Sequence, residues 1–277
     1  MGTTSHLIMI ASCVLLAAFT SLEAWFAPKA ELDSRWLPSD PAATERVDHS
    51  AWDWLLKAYV ASGSDGINRV AYARVTAVDR QALADYIARL AATPLTKLNR
   101  AEQRTYWINL YNALTVQLVL EHYPLGSIRD AAVKGGPWKS KLVTVEGVPL
   151  SLDEIEHHIL RPIWHDPRIH YAVNCASLGC PNLQPTAFTA DNTERLLEEA
   201  ARAYVNHPRG VDVADDGRII VSSIYVWFEE DFGGSDKAVI RHLAGYAEPD
   251  LKQRLSGRSS IDAHRYDWSL NDAATGP

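Results

Sequence analysis

Cysteine is scarce in this chain, with three in 277 residues. Cys13 lies in an apolar N-terminal run, so Cys175 and Cys180 are the thiols of the remaining chain. Their spacing is not a standard metal-ligand spacing, and no second close pair of Cys or His follows at a recognisable distance. Zinc is therefore the least favoured use of these two thiols, and no cofactor is expected.

Dense runs of Lys or Arg are also missing, and the formal net charge is -7. This balance excludes nucleic acid as the main partner, because phosphate binding needs a concentrated basic surface. Internal repeats and low-complexity tracts are absent from the sequence. What remains is the ordinary composition of a well-packed soluble protein, 47% apolar and 22% charged, long enough for one large or two small domains.

The N-terminal run from Leu7 to Leu22 is apolar and is followed by Glu23-Ala24, which is typical of a signal peptide. No Lys or Arg precedes it, and an uncleaved membrane anchor fits the same stretch. We therefore assign residues 1–26 to a signal peptide or anchor, 27–48 to a linker, 49–272 to one domain and 273–277 to a tail. This organisation predicts an exported, periplasmic or extracytoplasmic protein that meets the membrane only through its N-terminal segment.

The stretch from Asn99 to His122 is apolar almost all round, which predicts a buried central helix. At about 100° per residue its polar side chains fall on one narrow stripe. They are Glu102, Thr105, Asn109 and Asn112. Burying a carboxamide without a hydrogen bond costs about 1–3 kcal/mol, so polar groups must face this stripe. Asn109 and Asn112 either hold the backbone of a loop or strand end, or bind substrate.

A helix is predicted to begin at Leu152, because Ser151 and Glu154 form a capping-box pattern. Pro162 is expected to end it. On this helix Glu156 projects into the apolar face, whereas the next two residues, His157 and His158, are expected to point away.

A carboxylate aimed at a core must be paired, hydrogen-bonded or protonated. Glu156 is therefore either half of a buried ion pair, with Arg161 or Arg168 as its partner, or a residue of a functional site. Both interpretations stay open at this point.

The segment from Arg168 to Asn174 follows the turn signal Asp166-Pro167 and alternates with a period of two, which predicts a strand. His170 lies on its polar face and is either a structural histidine or a base with a cysteine or carboxylate partner. In an extended strand, His170 and Cys175 would be about 16 Å apart at roughly 3.3 Å per residue. A proton could then pass between them only if the chain folded back after Val173.

Cys175 and Cys180 have three alternative uses. They could form a structural disulfide across a short loop, which suits an exported protein. Alternatively, Cys175 could be a catalytic thiolate with a neighbour, or both sulfurs could belong to a metal site.

The periodicity elsewhere predicts further helices and strands. Helices are expected over 51–60, 78–91, 191–206 and 237–246, a hairpin over 142–149, and strands over 218–223 and 260–270. Helices grouped before strands, without regular βαβ alternation, indicate an α+β domain with helices packed on an antiparallel or mixed sheet around the central helix.

Five motifs occur in order: YWINLYNALTV, LSLDEIEHHILRP, DPRIHYAVNCASLGCPNL, WFEEDF and YDWSLN. Together they resemble the domain-of-unknown-function family 547, over about residues 50 to 272. The family occurs in exported bacterial proteins and at the ends of larger plant proteins, and has been likened to papain-like and transglutaminase-like cysteine enzymes. In those enzymes a central helix carries the cysteine and a strand packed against it carries the histidine.

The resemblance implies a cysteine-peptidase-like or transglutaminase-like fold and a catalytic cysteine. No cysteine lies on the central helix here, so Cys175 would have to be the nucleophile, with His170 and either Glu156 or Asn112 in support. Amide groups near Asn174 would stabilise the oxyanion. The remaining candidate binding residues are Asn109, Arg168, Ser177 and Cys180.

Two functions from different classes follow as hypotheses. The first is a cell-envelope thiol hydrolase or acyl transferase that acts on an amide or peptide bond. The second is a non-catalytic envelope binding or scaffold domain in which a disulfide joins Cys175 to Cys180.

Overall fold

Helices and short strands alternate along residues 27–275, the part of the chain that the computed structural model describes. The helices are α1 (Ser50–Tyr59), α2 (Ala77–Ala91), α3 (Arg100–His122), α4 (Leu152–Glu154), α5 (Arg161–Trp164), α6 (Thr193–Val205), α7 (Ile224–Trp227), α8 (Asp236–Tyr246) and α9 (Pro249–Leu255). A π-helical turn, Ile155–Leu160, joins α4 to α5. The predicted signal peptide or anchor, residues 1–26, lies outside the described residues. Within those residues, no helix combines the length and apolar character that crossing a membrane requires.

Seven strands form three small sheets in this part of the chain. They are β1 (Val60–Ser62), β2 (Asn68–Val70), β3 (Val143–Val145), β4 (Val148–Leu150), β5 (Val211–Val213), β6 (Ile219–Ser222) and β7 (Ala263–Arg265). The first two sheets are antiparallel hairpins, and in the third β6 pairs antiparallel with β5 and parallel with β7. The predicted α+β class is confirmed, although the sheet is divided and the predicted closing strand over 260–270 shrinks to β7.

The helix α3 lies at the centre, as predicted, and is buried on all sides along most of its length. Asn99 caps it, because its side chain accepts a hydrogen bond from the amide of Glu102. Tyr106 and Trp107 are almost fully buried and meet edge to face, with ring centroids 4.9 Å apart. The rest of the main core packs around this helix, and β5 and β6 belong to a second cluster with α6 and α8.

Two residues of the polar stripe of α3 bond to the backbone of other segments. Asn109 donates to the carbonyl of Phe188 at 2.7 Å and accepts from the amide of Phe188 at 3.1 Å. Asn112 donates to the carbonyl of Ala172 at 2.9 Å and accepts from the amide of Asn174 at 2.8 Å. Each carboxamide thus closes a paired hydrogen bond in the dry core, and neither contacts a cleft directly.

Pro162 lies inside the second long helical segment and does not end it, contrary to the prediction from the sequence. The capping box of Ser151 and Glu154 forms as predicted. Beyond it the chain widens into the π turn, in which the amide of Arg161 bonds to the carbonyl of Glu156. A proline lacks an N–H and clashes with the carbonyl four residues earlier, and the wider turn accommodates both effects.

The same proline creates a binding edge for the N-terminal segment 27–48. His158 would normally bond to the amide of residue 162, which proline lacks, and its carbonyl accepts instead from Asp33 at 3.1 Å. The carbonyl of His157 accepts from the amide of Glu31 at 2.9 Å. Segment 27–48, predicted as a linker, therefore lies along the domain surface.

Two contacts of α3 hold the same N-terminal segment further along. Trp36 is buried and packs edge to face on Trp107 at 5.1 Å. Arg46 pairs with the buried Glu102 at 2.7 Å. The charge of Glu102, the first polar residue of the α3 stripe, is thereby paired. The composition of the sequence did not indicate this contact.

The predicted strand after Asp166 is wrong. Pro167–Tyr171 forms a 3-10 helix, which Asp166 caps by accepting from the amide of Arg168. The alternation of apolar and polar residues does not correspond to two faces of different exposure, because residues 169–174 are all buried. Because a 3-10 helix rises only about 2 Å per residue, the chain from Pro167 to Tyr171 covers less distance than the predicted strand would.

We expect Asn109→Leu to lower the free energy of unfolding by roughly 2–5 kcal/mol, because the amide and carbonyl of Phe188 would be buried without partners. Urea denaturation followed by circular dichroism measures the change. Gln117→Leu, on the same helix at a half-buried position, is the matched control. An equal loss in the two variants would contradict the proposed role of the carboxamide.

Candidate functional site

A cleft of about 510 Å³ opens beside the π turn and the loop that carries the two cysteines. Its titratable and thiol lining includes Asp153, Glu156, His157, His170, Cys175, Cys180 and Tyr266. Aromatic rings form much of the remaining wall, with Tyr111, Trp138, Trp227, Phe228 and Trp268. Four of the predicted site residues therefore reach one cavity: Glu156, His170, Cys175 and Cys180.

Cys175 is held by two hydroxyl groups at the wall of this cleft. Its sulfur lies 2.9 Å from the hydroxyl of Tyr266 and 3.2 Å from that of Ser177, and these two hydroxyls are 2.9 Å apart. Cys175 is partly exposed, whereas Cys180 is buried. A hydrogen bond from the Cys180 thiol, together with those from Ser177 and Tyr266, lowers the pKa of Cys175 despite its burial.

The loop that carries Cys175 is fixed on both sides. Asn112 of α3 holds the amide of Asn174, and the Asn174 side chain bonds to the carbonyl of Pro181 and the amide of Ala176. Ala176 has a φ of 58°, a left-handed conformation that is strained for a residue with a side chain. At Gly179 an added Cβ would lie 2.7 Å from the backbone nitrogen of Asp267, so only glycine allows this approach.

His170 is held between two carboxylates. Its Nε2 lies 2.6 Å from an oxygen of Asp231, and its Nδ1 lies 3.6 Å from an oxygen of Glu156. Burial alone would lower the pKa of His170, but Asp231 and Glu156 together raise it above its ordinary value. The ring also stacks on Phe228, with centroids 4.5 Å apart. The tighter bond fixes Nε2 and leaves Nδ1 as the more loosely held nitrogen.

Arg161 supports this arrangement from α5. Its Nε donates to the same Asp231 oxygen at 2.5 Å, and its Nη1 donates to the carbonyl of Pro28 and to Nδ1 of His157. The π turn thus directs His157 into the cleft, contrary to the prediction that it points away. Because burial and the nearby Arg161 disfavour a charged ring, the pKa of His157 is lowered to about 4.

Two carboxyl groups on the same helical segment have opposite environments. Burial disfavours the ionised form of Glu156, but His157, His170 and Arg161 lower its pKa to about 2. Burial, followed by the charge of Glu156, raises the pKa of Asp153 to about 6. Glu156 is therefore ionised beside His170, whose protonated form is favoured, whereas Asp153 holds its proton in mildly acidic solution.

Several predicted site residues lie elsewhere or act differently. Arg168 binds Asp166 and Glu194 and not Glu156, so it belongs to a separate ion-pair cluster. Asn109 and Asn112 lie behind the wall, within the core. Among the described residues, Cys175 and Cys180 are free thiols, and the disulfide left open by the sequence is not formed.

Three amides of the predicted oxyanion site near Asn174 already have hydrogen-bond acceptors. The amide of Asn174 donates to Asn112, that of Cys175 to the sulfur of Cys180, and that of Ala176 to the Asn174 side chain. These three donors are already occupied and could not stabilise a developing charge without breaking the loop. Within residues 27–275, no group of three His, Cys, Asp or Glu side chains is arranged to hold a metal ion.

Residues 95–205 match the sequence model of a family described as "Protein of unknown function, DUF547". This part of the chain is therefore similar to that family. The match confirms the predicted family over a shorter range than the motifs indicated. The matched range includes α3, Glu156, His170 and the two cysteines Cys175 and Cys180, but not Asp231 or Tyr266. No curated protein and no solved structure matches the chain.

Sequence reasoning missed the residues that complete the site from outside the DUF547 match. Asp231 lies in the WFEEDF motif and Tyr266 in the YDWSLN motif, so the motifs were visible. Their roles were not, because neither residue has a periodicity that points to a partner more than 60 positions away. Arg161 was considered only as a partner of Glu156.

We expect Asp231→Asn to lower the pKa of His170, because one of two carboxylates that favour the charged ring is removed while burial still opposes it. In the unmodified protein the ring should stay protonated as the pH rises past 6.5, its ordinary value. An NMR titration of the histidine rings measures this change. Asp216→Asn, at an exposed carboxylate paired with Arg218, is the control. An unaltered His170 titration in D231N would contradict the assignment.

Tyr266→Phe should raise the pKa of Cys175, because one of the hydroxyls that stabilise its thiolate is lost. The rate of iodoacetamide alkylation, followed on the Cys175 peptide by mass spectrometry, should then rise at a higher pH than in the unmodified protein. Tyr59→Phe removes a hydroxyl that bonds to Asp79 and serves as the control. Superimposable pH profiles for Y266F and the unmodified protein would refute the role of Tyr266.

Proposed function

We propose that this protein is a thiol-dependent hydrolase or acyl transferase that acts on amide or peptide bonds. The observation that supports the proposal is that a thiol and a carboxylate-bound histidine line one cleft. A partly exposed thiol held by two hydroxyls shares the cavity with a histidine that is fixed by a carboxylate. Nucleophile, acid and orienting group are the three parts that such chemistry requires.

The charge states of the two key groups favour a preformed pair. The lowered pKa of Cys175 favours the thiolate, and the raised pKa of His170 favours the imidazolium. Cys175 then needs no base before it attacks the carbonyl carbon. His170 donates its Nδ1 proton to the leaving nitrogen, and a thioester forms on the sulfur as the C–N bond breaks. Water completes a hydrolysis, and an amine completes a transfer.

Asp231 is the orienting residue in this mechanism. It holds Nε2 of His170 at 2.6 Å and is itself bonded to Arg161, so the ring keeps one orientation through the reaction. Glu156 lies beside Nδ1 and stabilises the charged ring before the proton leaves. Asn112 lies behind the cleft wall and accepts a hydrogen bond from the amide of Asn174. It is therefore a positioning residue for the loop.

The oxyanion donor in this proposal comes from a side chain. Trp227 lines the cleft, and its buried Nε1–H has no hydrogen-bond partner among the described residues. Leaving such a donor unpaired is unfavourable, and a developing oxyanion would satisfy it. The hydroxyl of Tyr266, beside the sulfur of Cys175, supplies a second donor.

The proposed likeness to papain-like and transglutaminase-like enzymes lies in these groups and not in their placement on the fold. No cysteine lies on α3, where the family resemblance would put the nucleophile. Here the central helix contributes Asn112, which anchors the loop that bears Cys175. With the apolar N-terminal run, we further propose an exported protein with a peptide or amide substrate of the cell envelope.

A non-catalytic binding domain is the second candidate, and the aromatic wall favours it. Trp227 and Trp268 stack at 5.6 Å and Tyr266 lies 4.6 Å from Trp268, and together they form an aromatic wall suited to a ring-bearing ligand. In this alternative Cys175 would show no acyl transfer, and the cleft would only hold its ligand.

The activated ester p-nitrophenyl acetate tests the proposal without knowledge of the natural substrate. We expect a burst of p-nitrophenol that approaches one equivalent per protein, with one acetyl group on the Cys175 peptide by mass spectrometry. Cys175→Ser should abolish both signals while its circular dichroism spectrum stays unchanged. Acetylation that persists in C175S, or a protein that never acetylates at Cys175, would favour the binding domain.

His170→Gln separates the two roles of the site in the same assay. Because p-nitrophenolate leaves without a proton, this variant should keep its ester burst but lose turnover of a p-nitroanilide, whose nitrogen needs an acid. Equal losses on ester and anilide would argue against His170 as the proton donor.

A further inference from the structure

We propose that Cys175 and Cys180 form a redox-active dithiol, which reacts with a low-molecular-weight disulfide and closes into an intramolecular disulfide. Both cysteines are free thiols that line the cleft, and Cys175 is partly exposed, so a small disulfide can reach the Cys175 sulfur. This reaction is separate from acyl transfer and does not depend on it.

The geometry of the loop allows this bond. The amide of Cys175 lies 3.0 Å from the sulfur of Cys180. With standard bond lengths, this contact keeps the two Cα atoms within about 7 Å of each other, close to the range that a disulfide requires. A turn from Ser177 to Cys180, closed by a 3.1 Å backbone hydrogen bond, keeps the residues together. The two sulfurs need only rotate about their side-chain bonds to meet.

The two thiols differ in the way that an exchange reaction needs. Cys175 is partly exposed and is stabilised as a thiolate by Ser177, Tyr266 and Cys180. Cys180 is buried, and burial raises its pKa well above the ordinary value. Cys175 is therefore the attacking sulfur, and Cys180 is the one that completes the reaction.

The reaction balances with the external disulfide as the oxidant. The Cys175 thiolate attacks one sulfur of the disulfide, and a mixed disulfide forms as the first small thiolate leaves. Cys180 then loses its proton to that thiolate or to solvent and attacks the Cys175 sulfur. The second small thiolate leaves and the intramolecular bond forms. Counted from two neutral thiols, the protein loses two electrons and two protons, and the external disulfide becomes two thiols.

The closed form would have a consequence for the proposed function, on which this step of the inference rests. Cys175 would no longer be a nucleophile, so acyl transfer would stop until a thiol reduced the bond. The charged pair of His170 and Asp231 does not contact either sulfur by hydrogen bond and would stay in place. Reduction alone should therefore restore the site.

The chromogenic disulfide dithiobisnitrobenzoate tests the inference on the full chain, with Cys13→Ser to remove the third thiol. We expect two thionitrobenzoate ions released per protein, no adduct retained, and a mass lower by two hydrogens. Cys180→Ser, the matched control, should release one ion and keep one adduct on the Cys175 peptide. Cys175→Ser should show no release on the same timescale, because the remaining thiol is buried.

Adducts retained on both cysteines, or equal release from C175S, would overturn the proposed dithiol. The p-nitrophenyl acetate burst, measured before oxidation, after it and after reduction, separates this inference from the proposed function. Clean disulfide formation in a protein that has no burst when reduced would count against acyl transfer alone. A normal burst with stable adducts on both thiols would count against the disulfide alone.

Discussion

The burial of α3 is the constraint on which the rest of the structure depends. In a helix that is dry on every side, each polar side chain needs a hydrogen-bond partner within the protein. Asn109 and Asn112 meet this requirement by closing paired bonds to the backbone of Phe188 and of residues 172–174. The loop that follows is thereby fixed to the core at the residue before Cys175. The hydrogen-bonding requirement of the buried helix thus determines the position of the Cys175 sulfur.

The missing amide hydrogen of Pro162 has a similar effect on the other side of the cleft. Because the nitrogen of Pro162 cannot donate a hydrogen bond within its helix, the chain widens into the π turn. Carbonyl groups of that turn face outward. The N-terminal segment binds to them, and the turn redirects Glu156 and His157 toward one cavity. The π turn therefore binds the N-terminal segment 27–48 and also places charged side chains at the wall of the cleft.

The charges of that wall are balanced in a low-dielectric setting, where unpaired ions are unfavourable. Asp231 and Glu156 enclose His170, and Arg161 offsets the second negative charge. The thiol of Cys175 has no such ion partner and is instead stabilised by neutral donors, Ser177, Tyr266 and Cys180. The cleft thus holds a charged acid and an activated thiol without a direct bond between them, which leaves the space for a substrate.

The sequence by itself determined the features that depend on local periodicity and end chemistry. These are the all-round apolar helix α3, the capping box at Ser151, the hairpin of β3 and β4, the α+β class and the family. It also identified Glu156, His170 and Cys175 as unusual. Tertiary structure alone decided the 3-10 turn in place of a strand, the free thiols, and the meeting of Asp231 and Tyr266 with the site. The physical reason is range: periodicity and caps act over one or two turns of chain, whereas a carboxylate or hydroxyl finds its partner only after distant segments have packed.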